Sequence, residues 1–260
     1  MEYGPRAASR PDLGPALPPG RAEQVRGEHP HAEQGVAVPR PRRMPERHSV
    51  RDQVLAALRS ALVTGELEPG GVYSAPALAE RFGVSATPVR EAMQLLAREG
   101  AVEAMPNRGF RVAERSARER AELAEVRALL EVPVVVRLAR TLPAERWEAL
   151  RPYAEATVAA AALGDRAAYA EADRAFHRAM LELSGNRQLV AVADELHRRA
   201  QWPVAAARRG HATTPSGRRT GTVSAELAAD AGEHAVLLEA LVAGDVATAE
   251  SLVREHFTGR

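Results

Sequence analysis

The chain has 260 residues, enough for two small domains with separate cores, and a composition of 45% hydrophobic but only 4% aromatic residues favours helices over an all-β sandwich. Its 35 basic residues, all arginine, face 34 acidic ones, so a net charge of +1 excludes bulk attraction to nucleic acid. The absence of cysteine excludes disulfides and thiolate metal sites, and no apolar run reaches the ~20 residues that span a bilayer.

The first residues also lack the apolar core of a signal peptide, so a cytoplasmic protein is expected. Residues 1–46 hold 7 arginines and 6 acids, 47–114 hold 8 and 8, and 115–260 hold 20 and 20. Any DNA contact must therefore come from local placement of charge.

Residues 1–46 are rich in Pro, Gly, Arg and Ala and have no apolar period, which predicts a disordered tail. Such a tail is either inert or an arginine arm on phosphate backbone. The pattern changes at Val50, Val54, Leu55, Leu58 and Leu62, which keep helical spacing until Gly65 and Pro69-Gly70. Ser74 with Pro76 starts a second, short helix that Gly83 stops, and Ser85 or Thr87 with Pro88 starts a third, closed by Gly100. Residues 101–112 then read as a hairpin turning at Pro106-Asn107-Arg108-Gly109.

From about residue 116 the chain is helix after helix. Breaks are expected near Leu142-Pro143, Gly164-Asp165, Ser184-Gly185, a polar loop at 208–222, and Gly244-Asp245. About six helices must pack as a bundle. Pro133 falls inside the first of them and should kink it.

A helix-turn-helix needs a short first helix, a tight turn and a second helix free to enter the major groove. In 78–100 the turn is Phe82-Gly83-Val84-Ser85, with Gly83 for positive φ and Ser85 to cap. Ser85, Thr87 and Arg90 then lie at the groove end of the reading helix, where Arg90 can pair with guanine or phosphate. Asn107, Arg108 and Gly109 form a wing tip suited to the minor groove, Gly109 allowing close backbone approach.

This region resembles the GntR family of bacterial regulators. The matching stretches are LRSALVTGELEPGGVYS (58–74), LAERFGVSATPVREAMQLLAREG (78–100) and PNRGFRV (106–112). It departs from the family at Ala86, where relatives often carry Arg, and at Ala75 and Pro76, where they often carry Glu or Arg. These departures shift readout toward Thr87, Arg90 and the wing. Further on, EADRAFHRAMLELSGNRQL (171–189) and EHAVLLEALVAGDVATAESLVREH (233–256) resemble the FCD sensor domain.

The expected fold is mainly α: a tail (1–46), a winged helix-turn-helix reader (47–114) and an FCD-like bundle (115–260) for ligand binding and dimerisation.

Asp173 and His177 are i, i+4 on one helix, and Leu181 carries that face into the bundle. His234 starts one late helix and His256 ends the next, so the turn at Gly244-Asp245 folds them together. One carboxylate and three imidazoles suit Zn, Ni, Mn or another divalent ion, with positions left for water or an effector carboxylate. Spacing alone leaves hydrogen-bonded structural residues as the alternative, and the FCD resemblance implies a metal at all four positions. His29, His31, His48, His197 and His211 lack such spacing and are read as surface or loop residues.

Arg127 and Glu131 are also i, i+4. The pair reads either as a solvated surface ion pair or, as the resemblance implies, with Arg127 facing an effector cavity. Asn186 is read as a helix cap that in relatives lies near the same cavity. Trp147 and Trp202 read as packing residues.

The expected function is a homodimeric repressor on an inverted-repeat DNA operator, released by a small organic acid, with the link helix near Ser116 as the lever. Three alternatives stay open: an effector-sensing regulator without metal, a ligand-independent architectural DNA binder, and a metal-dependent enzyme. The last lacks any recognisable general base or nucleophile.

Overall fold

Helix α1 (Val50–Thr64) begins where the Ser49 hydroxyl accepts from the Asp52 N–H, and it buries Val54, Leu58, Ala61 and Leu62. The computed structural model in which it lies describes residues 49–202 and 217–258. The tail, His29, His31, His48, His211 and residues 208–216 of the expected loop lie outside the described residues. Val50, counted above with the apolar stripe, is exposed at the first turn.

Helix α2 (Ala75–Phe82) is capped by the Ser74 hydroxyl, with Pro76 in its first turn. At Gly83 the backbone takes φ +66°, a conformation a Cβ disfavours, and the chain turns into α3 (Ala86–Arg98). The wing is β2 (Val102–Met105) and β3 (Gly109–Val112), in the antiparallel register Met105↔Gly109.

A two-residue strand not anticipated from sequence, β1 (Val72–Tyr73), adds to β3 and makes the order β1-β3-β2. Two residues show no period, so no pattern could reveal it. Val89, Ala92, Met93 and Leu96 of α3 close the reader core against Leu58, Leu62, Leu78 and Val112.

Ser116 opens α4 (Ala117–Ala139) with a capping box: its hydroxyl accepts from the Glu119 N–H, and the Glu119 carboxylate accepts from the Ser116 N–H. The helix continues through Pro133. Then come α5 (Ala144–Glu148), α6 (Arg151–Leu163), α7 (Arg166–Glu182), α8 (Arg187–Ala200), α9 (Gly217–Val242) and α10 (Val246–Thr258). The breaks at Leu142-Pro143, Gly164-Asp165, Ser184-Gly185 and Gly244-Asp245 fall where the sequence indicates.

Two expectations are corrected here. Pro152, which lacks an N–H and is tolerated in a first turn, opens α6 separately from α5. Helix α9 already begins at Gly217, so His234 lies in its interior and the polar stretch 217–222 is helical.

The bundle core joins Val132, Val135, Trp147, Phe176, Met180, Leu181, Leu237, Leu241, Val253 and Phe257. Trp147 packs there, whereas Trp202, just past α8, belongs to the reader core. The described residues all fall in one compact unit, and no helix among them is long and apolar enough to cross a membrane.

Candidate metal centre and DNA-reading surface

Three helices bring three imidazoles and one carboxylate together in the bundle. Helix α7 carries Asp173 and His177 one turn apart; Phe176, Met180 and Leu181, deep in the core, fix its rotation so that His177 is 2% exposed. Helix α9 supplies His234, 1% exposed, and α10 supplies His256 near its last turn. One ring nitrogen from each of His177, His234 and His256 lies within 4.8 Å of the others. The Asp173 Oδ1 is 3.5 Å from Nε2 of both His177 and His234. The three histidines named from sequence thus meet at one point, with Asp173 beside two of them.

The surrounding hydrogen bonds decide what this point can bind. A carboxylate only accepts, so the Nδ1–H of His177 donates to Glu131 Oε2 (3.3 Å) and that of His256 to Glu233 Oε2 (2.9 Å). In their neutral form both rings present an Nε2 lone pair, and these two nitrogens face each other at 3.1 Å. Two facing lone pairs repel unless a cation lies between them or beside them. Neither nitrogen of His234 has a hydrogen-bond partner, an unfavourable state for a buried polar ring. A divalent ion held by the three Nε2 atoms and Asp173 would relieve the first condition and occupy one of the two His234 nitrogens, with Glu131 and Glu233 orienting the His177 and His256 rings from behind.

Burial lowers the pKa of His177 to about 4 and that of His234 to about 3, which keeps both neutral, the form a metal requires. Burial acts to raise Glu131, but the His177 hydrogen bond and the Arg127 charge outweigh it and hold its pKa at about 2. Asp173 is likewise held well below the usual carboxylate range against its burial, by His197, His177 and His234.

His197 corrects the sequence reading. Taken as a surface or loop residue, it is 3% exposed and bonded on both sides. Arg127 Nη2 donates to its Nδ1 at 2.9 Å, and an arginine cannot accept. The His197 proton is therefore on Nε2, which donates to Asp173 Oδ2 at 2.9 Å.

Arg127 and Glu131 are not a solvated pair: they are 8% and 1% exposed, bonded at 2.8 Å, with the Arg127 guanidinium 4.9 Å over the Phe257 ring. Asn186 sits exposed at the start of α8, its side-chain oxygen accepting from the N–H groups of Gln188 and Leu189. That bonding matches the capping role.

The reading surface differs in kind. Ser85, Thr87 and Arg90 are exposed on the first turns of α3. Ser85 occupies the N-cap position, yet its hydroxyl makes no cap bond, whereas the caps of α1, α2, α4, α7 and α8 all do. An uncapped N-terminus leaves backbone donors and the positive end of the helix open to phosphate.

In the reader, Arg51, Arg59, Arg81 and Arg111 are ion-paired with Asp52, Glu99, Glu66 and Glu103. Arg90, Arg98 and Arg108 have no such partner among the described residues, so the unpaired arginines of the reader lie on α3 and the wing. Asn107 adopts φ +59° at the wing tip. Gly109 is required by the fold itself: a Cβ there would lie 2.3 Å from the Tyr73 carbonyl oxygen of β1.

The comparisons with known proteins match this division. Residues 50–112 match the gntR family of bacterial regulatory proteins, and residues 122–259 match the FCD domain. The chain belongs to the GntR family. It is a transcriptional regulator with an FCD effector-binding domain.

Among its relatives, an HTH-type transcriptional regulator in an unstable DNA locus of Streptomyces ambofaciens is 31% identical, over 79% of this chain and 81% of that protein. The HTH-type transcriptional repressor GlaR of Escherichia coli is 28% identical over 76% of this chain and 88% of its own length. The solved structure of Escherichia coli McbR/YncC superposes with a TM-score of 0.63 at 26% identity, covering 81% of this chain and 94% of that one. All are regulators, and neither family is one of enzymes, which sets the hydrolytic-metal alternative aside.

Sequence reasoning about this GntR regulator missed His197 and Glu233 and left Glu131 as only a partner of Arg127. Glu233 carried a usable signal, since it precedes His234 and stands 23 residues before His256 across a two-helix hairpin. His197 had none, because its partners are 24 and 70 residues away on other helices. Gln94, exposed one turn beyond Arg90 on α3, lies on the same face as Arg90 and was legible from helical spacing.

Proposed function

We propose that this regulator is a metal-containing sensor that represses transcription until a small organic acid binds. The observation that carries the reading is the pair of Nε2 lone pairs of His177 and His256 facing each other at 3.1 Å beside the unpartnered His234 ring. A divalent cation would complete that arrangement. The donor set of three imidazoles and Asp173 suits Zn, Ni or Mn. When bound, the ion would supply a Lewis-acid centre with positions open to a carboxylate.

Arg127 would add a positive charge for the same acid, and Asn186 would approach it only on leaving its cap. In this reading the chain divides into a tail (1–46), a reader (47–114) and a sensor (115–260), and acts in the cytoplasm as a homodimer on an inverted repeat. Ser85, Thr87 and Arg90 would meet the major groove and backbone, and Asn107, Arg108 and Gly109 the minor groove. Repression follows the relative GlaR, which carries that name.

The test is the metal content of the full-length protein after dialysis, beside Asp173→Ala and His177→Ala. About one divalent ion per chain is expected, lost in both variants. Selection of binding sites from random duplex DNA should return an inverted repeat, and metal-chelating carboxylates should weaken that complex. A protein that stays metal-free after reloading would sink the metal part and leave DNA binding intact.

A further inference from the structure

We propose that the C-terminal end of α8 with the two residues after it, His197–Trp202, couples the metal centre to the reading helix, with His197 as the positioning residue that makes the connection. The proposal rests on the metal reading above. Its first link is Asp173. Oδ2 of this ligand accepts from two groups of the same segment, Nε2–H of His197 at 2.9 Å and the Gln201 amide at 3.0 Å. Because Arg127 donates to His197 Nδ1, the ring cannot turn round to offer Nε2 as a lone pair. His197 is thereby barred from competing for the ion at that nitrogen, and it holds Asp173 with Oδ1 toward the His177 and His234 rings.

The second link leaves the bundle. Arg198, the next residue, bonds Asp194 at 2.6 Å and reaches Glu99 at 3.6 Å. Glu99 is the C-cap of α3, the reading helix, and it also pairs with Arg59 of α1. The Arg199 carbonyl accepts from Arg115 Nη1 at 3.1 Å, and Arg115 lies 4.6 Å over the ring of Trp202. Trp202 itself is 6% exposed within the reader core, beside residues of α1 and α3.

Five residues of this segment thus touch a metal ligand at one end and the hydrophobic core of the reader at the other. Close-packed elements do not deform smoothly, so a shift of Asp173 on taking up an ion must move the segment as a unit. By contrast, the first two turns of α4, where the sequence suggested the lever, are largely exposed.

The chain's two tryptophans, Trp147 and Trp202, make the test direct. In full-length Trp147→Phe protein, Trp202 reports alone. Zn2+ added to the metal-free protein should shift Trp202 emission and change hydrogen exchange of α3 amides by roughly fivefold or more. In Arg198→Ala, which leaves the metal ligands and His197 untouched, Zn2+ affinity should stay within about twofold, by additivity of distant sites, while the change in α3 exchange is lost. In His197→Phe the affinity should fall ~10- to 100-fold, and His197→Gln, which can still donate to Asp173, should recover part of it.

Zn2+ bound with no change in Trp202 emission or α3 exchange would overturn the coupling and spare the metal site. No Zn2+ bound by the parent protein would overturn both. A change in α3 exchange undiminished in Arg198→Ala would overturn the route.

Discussion

The reader and the bundle treat charge in opposite ways. On the reader the residues suited to DNA, Thr87, Arg90, Asn107 and Arg108, are exposed and take no part in the core. In the bundle the candidate ligand His177, with Glu131, Arg127 and His197, is buried and bonded into one network that crosses the core, and His234 is buried beside it without a hydrogen bond. A surface that must meet a large polyanion keeps its donors free, because unpaired charge is what a phosphate recognises. A site for one small cation must be dry and preorganised, because buried polar groups are costly unless each has a partner. Function and stability should therefore be separable in the reader and inseparable in the bundle.

The sharpest way to break that comparison is Glu131→Ala. It leaves the Arg127 charge buried without its carboxylate and frees the His177 ring, so a loss of ~3–5 kcal/mol is expected. In thermal denaturation this is a fall in Tm on the order of 10 °C. An unchanged Tm would mean that the network is ornamental to the fold.

Acid should act next most strongly. His177 and His234 have folded pKa values of about 4 and 3, below the 6.5 of a free histidine. The unfolded chain thus binds more protons than the folded one below pH 6.5. Stability of the metal-free protein should be full above that pH and fall as pH drops toward 4 and 3, by on the order of 3 kcal/mol per ring. Denaturant midpoints between pH 7 and 4 measure it, and a flat profile would contradict neutral buried rings.

Metal removal should be gentler. A ligand at a hundred times its Kd contributes about 2.7 kcal/mol, so a chelator should lower Tm by several degrees in the native chain and by nothing in Asp173→Ala. The smallest effect on stability is expected where the effect on DNA is largest. Arg90→Ala should weaken operator binding roughly 5- to 150-fold with Tm unchanged. Arg108→Ala should mainly flatten the salt dependence of binding. A large fall in Tm for Arg90→Ala would show that the reading face carries part of the fold.

Local chemistry made much of this protein legible as a string of residues. Caps such as Ser74 and Ser116, the glycine at 83, prolines in first turns, and helical spacing from Val54 to Leu62 act within a few residues, so the helix breaks and the helix-turn-helix could be read in order. Asp173 and His177 were visible for the same reason, being one turn apart.

Tertiary structure decided what lies beyond a helix's own reach. The strand at Val72–Tyr73 exists only because β3 is beside it, and Gly109 is needed because the Tyr73 backbone passes within contact of it. His197 became part of the centre when α8 was laid between Arg127 and Asp173, and Trp202 joined the reader core although it follows a bundle helix. Sequence carries the preferences of neighbours along the chain. Which distant donor meets which acceptor is settled only when packing removes water from between them.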